Sequence, residues 1–461
     1  MFPRRLPMIV LLLAVVTSLV AACAAPVAPA PTAVPEEKPA EPEPTTRAEA
    51  APGEVTEIDI MLRWGEGAGA QPKIAEKLAE FEADNPQYKV KPTWMGGGAY
   101  GKVRARLAAG DIPDLAFGND AHVAIYAREG LSLPVDEYLE GMNYAGDAKW
   151  KDTFFPGLLK NAWIEDGGKG AHYYGIPVES HLTGIYYNVK MFEENGYALP
   201  ETWSEMLDLC ERVQSELEIP CFGADNITYY QARLTYYLIQ RLLGQEILYN
   251  TATNRPGTSW KDEPGFLQAA RMAQEFTTKY YVPGFQGNVQ KTGQVEWANA
   301  GMAMIINATW LPAEVAGAKA DDFVMDIFPF PSIEGGKGDP TVAEFKFNGW
   351  VIFEGAKHPE AAIHLLKFLT SPAVQQILID VDKTPPAIRG IGVPDGVEGA
   401  AEMYEGYNSV RFGFGLDADA AEWQTNVFYP LNDELLFGNI TPEQFIDDLQ
   451  EAHDAFYAQK G

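Results

Sequence analysis

Residues 175–203 read G-I-P-V-E-S-H-L-T-G-I-Y-Y-N-V-K-M-F-E-E-N-G-Y-A-L-P-E-T-W. Two short apolar or aromatic runs, 176–178 and 184–187, flank a polar patch of Glu179, Ser180, His181 and Thr183. Strand-forming residues on both sides of such a patch read as a chain leaving one sheet and entering another. A helix follows: Thr202 is an N-cap, and Glu205 three residues on completes a capping box.

Upstream, Ile58, Ile60 and Leu62 alternate as a first strand, and Pro72 opens a helix whose Ile74, Leu78 and Phe81 share one face. The turn between them, Trp64-Gly-Glu66-Gly-Ala-Gly, has G-x-G-x-G spacing and not the dinucleotide G-x-G-x-x-G, and the next strand ends in Trp94 instead of an acidic residue. The turn is expected to offer backbone N–H groups, Trp64 and Glu66 to an uncharged polar ligand. A second β-α-β unit ends in a short buried strand after Pro113. Asn119, Asp120 and His122 leave its carboxyl end, where open α/β sheets bind ligands. Asp114 is expected to be a structural cap.

Downstream, residues 203–243 are helical with a break near 219–225, and Asp225, Asn226, Tyr229 and Tyr230 cluster at a helix start. The run Gly301-Met-Ala-Met-Ile-Ile-Asn307-Ala-Thr-Trp310 is a buried strand ending in an Asn and an aromatic. Phe345-Lys-Phe-Asn348-Gly-Trp350 forms a second crossover. His358-Pro-Glu starts a helix with Leu365, Leu366 and Leu369 on its apolar face. Pro385-Pro386-Ala387-Ile388-Arg389, Trp423 and a last amphipathic helix from Thr441 complete the chain.

Taken together, in order and over roughly residues 55–460, these stretches resemble the sugar-binding, maltose-binding-protein-like group of bacterial extracellular solute-binding proteins. The resemblance is carried by the 175–203 crossover, the G-D-x-P-D run from Gly110, the strand ending at Trp310, the H-P-E helix from His358 and the P-x-R element at Arg389. One departure is Ala308-Thr309, where the family usually has Gly-Pro or Gly-Ser. The resemblance implies an α/β fold of two lobes, each a three-layer αβα unit with a mixed sheet, and a ligand cleft between them. It places lobe 1 at 54–178 and 345–372, and lobe 2 at 179–344 and 373–461. It further implies a subunit of an ABC transporter that captures a mono- or oligosaccharide and delivers it to the permease. Glu179 is expected to reach the ligand and Trp310 to stack on a sugar ring, since an indole face buries area with little rotamer loss. Trp64, Trp350 and Trp423 are expected to supply further stacking faces. Glu66, Asn119, Asp120, His181, Tyr229, Asn307, Asn348 and Arg389 complete the expected ligand-binding set. A scarcity of Arg and Lys in this set argues against a phosphate ligand.

The front end fits export. Arg4 and Arg5 precede a short apolar run and small residues, as in a secretory signal peptide at 1–22. Leu19-Val20-Ala21-Ala22-Cys23 resembles a lipobox, which implies an acylated Cys23 and a membrane anchor. Residues 23–53, rich in Pro, Ala and Glu, read as a disordered tether. The protein is then expected on the outer face of the cell membrane or in the periplasm, as a monomer. Of the 3 Cys, Cys210 and Cys221 remain; they bracket a helix end and a proline, so a local disulfide or two buried thiols are the alternatives.

The globular part, about 400 residues, is too long for one core. A net charge of −29 argues against binding nucleic acid or anionic lipid through a basic face. No nucleophile elbow, zincin helix or Walker loop occurs, and the 6 His are scattered, so no metal, cofactor or catalytic residue is expected. The rival readings are a secreted glycosidase using Glu179 and Asp120 as a carboxyl pair, a binder of a polyol or glycerophosphodiester, and a structural surface lipoprotein.

Overall fold

The computed structural model describes residues 55–289 and 291–460. The signal peptide, Cys23 and the 23–53 tether lie outside these residues. Eleven strands follow in chain order: β1 Thr56–Leu62, β2 Tyr88–Trp94, β3 Leu115–Asn119, β4 Trp163–Gly167, β5 Gly170–Tyr173, β6 Ile176–Asn188, β7 Phe222–Gly223, β8 Met304–Ala308, β9 Met325–Phe328, β10 Val342–Ile352 and β11 Asn408–Val410. β4 and β5 form a separate hairpin. The rest join in one sheet of order β2-β1-β3-β10-β6-β8-β7, with β11 beside β10 and β9 beside β6.

The sheet is mixed. β1 runs parallel to β2 and β3, whereas β10 runs antiparallel to β3 and β6. Parallel neighbours need crossover helices, and two supply them on the β1 side: α1 Gln71–Asp84 between β1 and β2, and α2 Ala99–Ala108 between β2 and β3; α3 Asp120–Arg128 follows β3. Ile74, Leu78 and Phe81 of α1 are buried, as their spacing predicts.

β6 is the crossover predicted from the quoted stretch. It runs for 13 residues, all buried except Tyr187. Its first half pairs with β10 and its second half with β8 and β9. β10 also spans the junction, pairing with β3 at one end and β11 at the other. The two strands shift register between Asn348 and Gly349. Only glycine fits there, because a Cβ on Gly349 would lie 2.1 Å from the Ile176 carbonyl oxygen. At the start of the helix Trp203–Leu217 the capping box forms as read: Glu205 N–H donates to Thr202 Oγ1 at 3.3 Å, and Thr202 N–H to Glu205 Oε2 at 3.2 Å.

Two apolar cores are present. One packs β1, β3 and their helices around Ile60, Phe81, Phe117, Trp350 and Leu366, and continues under the far half of the sheet to Trp297, Ile305 and Ile327. The other surrounds Tyr236, Trp260, Phe276, Phe414, Trp423 and Phe428. Val374, Leu378, Ala387 and Ile388 belong to the first core, so the chain stays there well past 372, and packing is continuous across 178/179. Cys210, midway along the helix Trp203–Leu217, forms a disulfide with Cys221 beyond the helix end. Among the described residues, no single helix is long and apolar enough to cross a membrane.

Candidate functional site

Successive side chains on a strand face opposite ways, and the β6–β10 register turns this into a polar stripe. Asn348 stands opposite Glu179, and Lys346 opposite His181. Asn348 also stands opposite Asn119 on the other side. Glu344, Lys346 and Asn348 of β10, with Glu179, His181 and Thr183 of β6, thus share one face of the sheet where the two crossovers meet. The alternate positions, Phe345 and Phe347 on β10 and Leu182 on β6, are buried in the first core.

The stripe is tightly bonded at its Glu179 end. Glu179 is 2% exposed. Its Oε1 accepts from Arg63 Nε at 2.6 Å and its Oε2 from Asn348 Nδ2 at 3.0 Å. Arg63 continues to Asp382, Nη2 to Oδ2 at 2.6 Å, and Asp382 also accepts from Trp64 Nε1 at 2.7 Å and Ala70 N–H at 2.9 Å. Asn348 Nδ2 lies 3.3 Å from His181 Nε2. Burial, with Lys346 and Arg63 adding to it, pushes the His181 imidazole down to about 3, and burial with Lys346 pushes His122 down to about 4. Both rings are neutral near pH 7, so each can donate from one nitrogen and accept at the other.

At the other end the stripe meets aromatic rings. Trp310 approaches His181 edge-on at 5.3 Å between centroids, and its Nε1 donates to Tyr230 Oη at 3.0 Å. Phe412 lies 5.6 Å from Trp310. Arg233, from the helix Thr228–Leu243, places its guanidinium 5.4 Å from the Trp310 ring and 5.1 Å from the Phe412 ring. Its nearest carboxylate is Glu344, Nε to Oε2 at 3.6 Å. The other oxygen of Glu344 accepts from Gly413 N–H at 2.7 Å.

Several buried polar atoms in this region have no hydrogen-bond partner among the described residues: Asp120 Oδ2, His181 Nδ1, Arg233 Nη1 and Glu344 Oε2, and also Asn307 Nδ2 on β8. Buried polar groups are normally satisfied, so such a concentration marks a place where something else bonds. Burial pushes the Asp120 carboxyl up to about 6, against the pull of Lys346 and Arg411. Burial likewise raises Glu344 and Asp417.

The structure thus brings together Glu179, His181, Trp310 and Asn348 by direct contact, with Asp120 in electrostatic range of Lys346. Asn119 lies in the same cross-strand row, but its Oδ1 accepts from His122 N–H at 2.9 Å and caps α3. Tyr229 is 45% exposed and packs its ring against Tyr230 at 4.4 Å. Asn307 is fully buried and its Oδ1 accepts from the Ala308 N–H. Glu66 is exposed on the turn after β1 and makes none of the bonds that join the cluster.

Four expectations are corrected. Trp350 is buried in the first core, edge-on to Phe117 at 5.5 Å, and offers no stacking face. Trp423 is buried in the second core, stacked on Trp260 at 5.6 Å. Trp64 is 5% exposed, with the Arg63 guanidinium 4.6 Å from its ring. Arg389 is exposed and pairs with Glu405, Nη2 to Oε2 at 2.6 Å, while its backbone N–H is held by the Thr153 carbonyl at 2.9 Å. It lines an outer cavity of about 450 Å³ with Asn143, Trp150 and Lys367. The expected scarcity of cations also fails, since Arg63, Arg233, Lys346 and Arg411 all surround the stripe. Lys346 and Glu344 were legible by the two-residue alternation through Asn348; Arg63, Asp382, Arg233 and Phe412 carried no local signal. Among the described residues, no group of three or more His, Cys, Asp or Glu could hold a metal ion.

Comparison with known proteins identifies the family and the fold. The sequence profile of the bacterial extracellular solute-binding proteins matches residues 64–376. A multiple sugar-binding protein of Streptococcus mutans is 26% identical over 334 residues, covering 68% of this chain and 71% of that protein. The diacetylchitobiose binding protein NgcE of Streptomyces coelicolor is 22% identical over 311 residues, 64% of this chain and 62% of that protein. The apo form of RafE from Streptococcus pneumoniae superimposes with a TM-score of 0.68 at 20% identity, over 88% of this chain and 99% of RafE, which shows a shared fold.

Proposed function

This chain belongs to the bacterial extracellular solute-binding protein family, and on that premise we infer that it captures a mono- or oligosaccharide for an ABC importer and delivers it to the permease. The observation that carries the reading is the mixed character of the unpartnered buried atoms: Asp120 Oδ2 and Glu344 Oε2 accept, whereas Arg233 Nη1, on the residue over the Trp310 ring, donates. A sugar hydroxyl both donates and accepts, and can serve either kind. Trp310 and Phe412 add apolar ring faces suited to the C–H face of a pyranose. The relatives point the same way, since one is described as a multiple sugar-binding protein and another as a diacetylchitobiose binding protein.

Binding without turnover fits the site better than glycoside hydrolysis. Both carboxylate oxygens of Glu179 are engaged, one by the Arg63 guanidinium. A carboxylate nucleophile needs a free oxygen to reach the anomeric carbon, and both oxygens of Glu179 are occupied by protein donors. The protein acts outside the cytoplasmic membrane, in the periplasm or on the outer face. The lipobox-like stretch Leu19–Cys23, followed by the Pro-, Ala- and Glu-rich residues 23–53, supports a lipid anchor.

A thermal-shift screen against mono- and oligosaccharides tests the reading, because a ligand that binds only the folded chain raises its melting temperature. A rise with at least one saccharide is expected. No rise with any of them would sink the reading, and sustained release of reducing ends would replace it with hydrolysis.

A further inference from the structure

We propose that the saccharide taken up here is acidic, with its anionic group, a carboxylate or a phosphate ester, held between Lys346 and Arg233. The inference rests on the carbohydrate reading and narrows it. Lys346 and Arg233 reach the same two rings from different elements. The Lys346 ammonium, from β10, lies 5.8 Å from the Trp310 ring and 5.6 Å from the Phe412 ring, and the Arg233 guanidinium lies at 5.4 and 5.1 Å.

Among the described residues, the half-buried Lys346 ammonium makes no hydrogen bond or ion pair; its contacts are the two rings. Arg233 is 3% exposed, its Nη1 is buried without a partner, and its one ion pair, at 3.6 Å, is too long for a hydrogen bond. Two like charges converging on one aromatic pair repel, and a buried charge is costly unless paired. Cation–π attraction offsets part of that cost, but leaves the Arg233 Nη1 hydrogen bond unmade.

The other cations of the site are not left in this state. Arg63 is saturated by Glu179 and Asp382. Arg411 donates Nε to the Asn161 carbonyl at 3.1 Å and Nη2 to the Trp163 carbonyl at 2.6 Å. The carboxyls facing Lys346 are poor substitutes for an anion of the ligand. Asp120 and Asp417 act on Lys346 only over distance, and neither forms a hydrogen bond or ion pair with its ammonium. A ligand carboxylate or phosphate accepts from a guanidinium and an ammonium at once, in bonds roughly twice as strong as neutral ones. A hydroxyl supplies no such charge.

The test is calorimetric titration of the full chain with matched probes: galacturonic acid dimer, glucuronic acid and glucose 6-phosphate, each against its neutral counterpart, galactose dimer or glucose. At least one acidic probe is expected to bind about tenfold or more tighter than its counterpart, and to weaken as salt rises. A response to the uronates alone assigns a carboxylate, and a response to glucose 6-phosphate alone assigns a phosphate ester. Lys346→Met is expected to abolish the preference and Lys346→Arg to retain it; if either variant fails to fold, the wild-type comparison stands by itself. Neutral probes binding as tightly as acidic ones would overturn the acidic-sugar inference and leave carbohydrate capture intact. A preference that survives Lys346→Met overturns the assignment to Lys346. Binding of no sugar of either kind removes both.

Discussion

Asn348 donates its side-chain amide to Glu179 across the β6–β10 ladder, Nδ2 to Oε2 at 3.0 Å, and Arg63 holds the other oxygen of the same carboxylate at 2.6 Å. Glu179 is therefore fixed from two sides before any ligand arrives. Glu179→Gln keeps the shape but gives up the charge-assisted bonds, so ligand binding should weaken by about 1.5–3 kcal/mol. Titration calorimetry of the variant checks this, and an unchanged dissociation constant would take Glu179 out of the site.

Trp310 and Trp423 make a contrasting pair. Trp310 is partly exposed beside His181, whereas Trp423 is fully buried against Trp260. Trp310→Ala should cost about 1–3 kcal/mol of binding from lost burial and stacking. Trp423→Ala should cost about 3–5 kcal/mol of folding stability and leave the affinity of the folded fraction unchanged. Urea denaturation and ligand titration, run on both variants, separate the two roles.

Asp120 sets a pH dependence of defined sign. Its carboxyl rises from 3.8 to about 6 on folding, because burial disfavours the charged form. Between those values the folded state binds more protons than the unfolded chain, so this group's contribution to stability falls as pH rises through the window. Asp120→Asn should therefore stabilise the protein at pH 7, by up to about 3 kcal/mol, with the gain shrinking toward pH 4. His181 and His122 act oppositely: folding lowers both imidazoles from 6.5, to about 3 and about 4, so their contribution grows as pH rises toward 6.5. Comparing denaturation of wild type and Asp120→Asn at each pH isolates the carboxyl, and a gain independent of pH would contradict it.

The Cys210–Cys221 disulfide closes a short loop, with a sequence separation of 11, in the second core, away from the β6–β10 stripe. Reducing it, or changing both residues to Ser, should lower stability by about 2–4 kcal/mol. Ligand affinity measured below the melting transition should not move.

How much of this was legible in the sequence follows from the range of the signal. The Thr202–Glu205 capping box, the buried face of α1 and the crossing of β6 depend on neighbours a few residues apart, and all form as read. Glu179, Trp310 and Asn348 were singled out from a resemblance, and the register brings Glu179 and Asn348 face to face. The tryptophans divide differently. An indole reads the same in a core as in a cleft, and Trp350 and Trp423 went to the core because Phe117 and Trp260, distant in sequence, cover them. Arg63 and Asp382 are 319 residues apart and meet only through tertiary packing. Lys346 was readable in principle, since the same alternation that aims Asn348 at Glu179 aims Lys346 to that side.

The continuous sheet leaves the stripe in an unusual mechanical position. Glu179, His181, Lys346 and Asn348 stand on the two strands shared by both halves of the molecule. Any hinge-like rotation of one half against the other twists the backbone that carries these side chains. A bound sugar would rest against the axle as much as between the jaws, so a mutation that stiffens or bends β6 or β10 should alter grip and motion together.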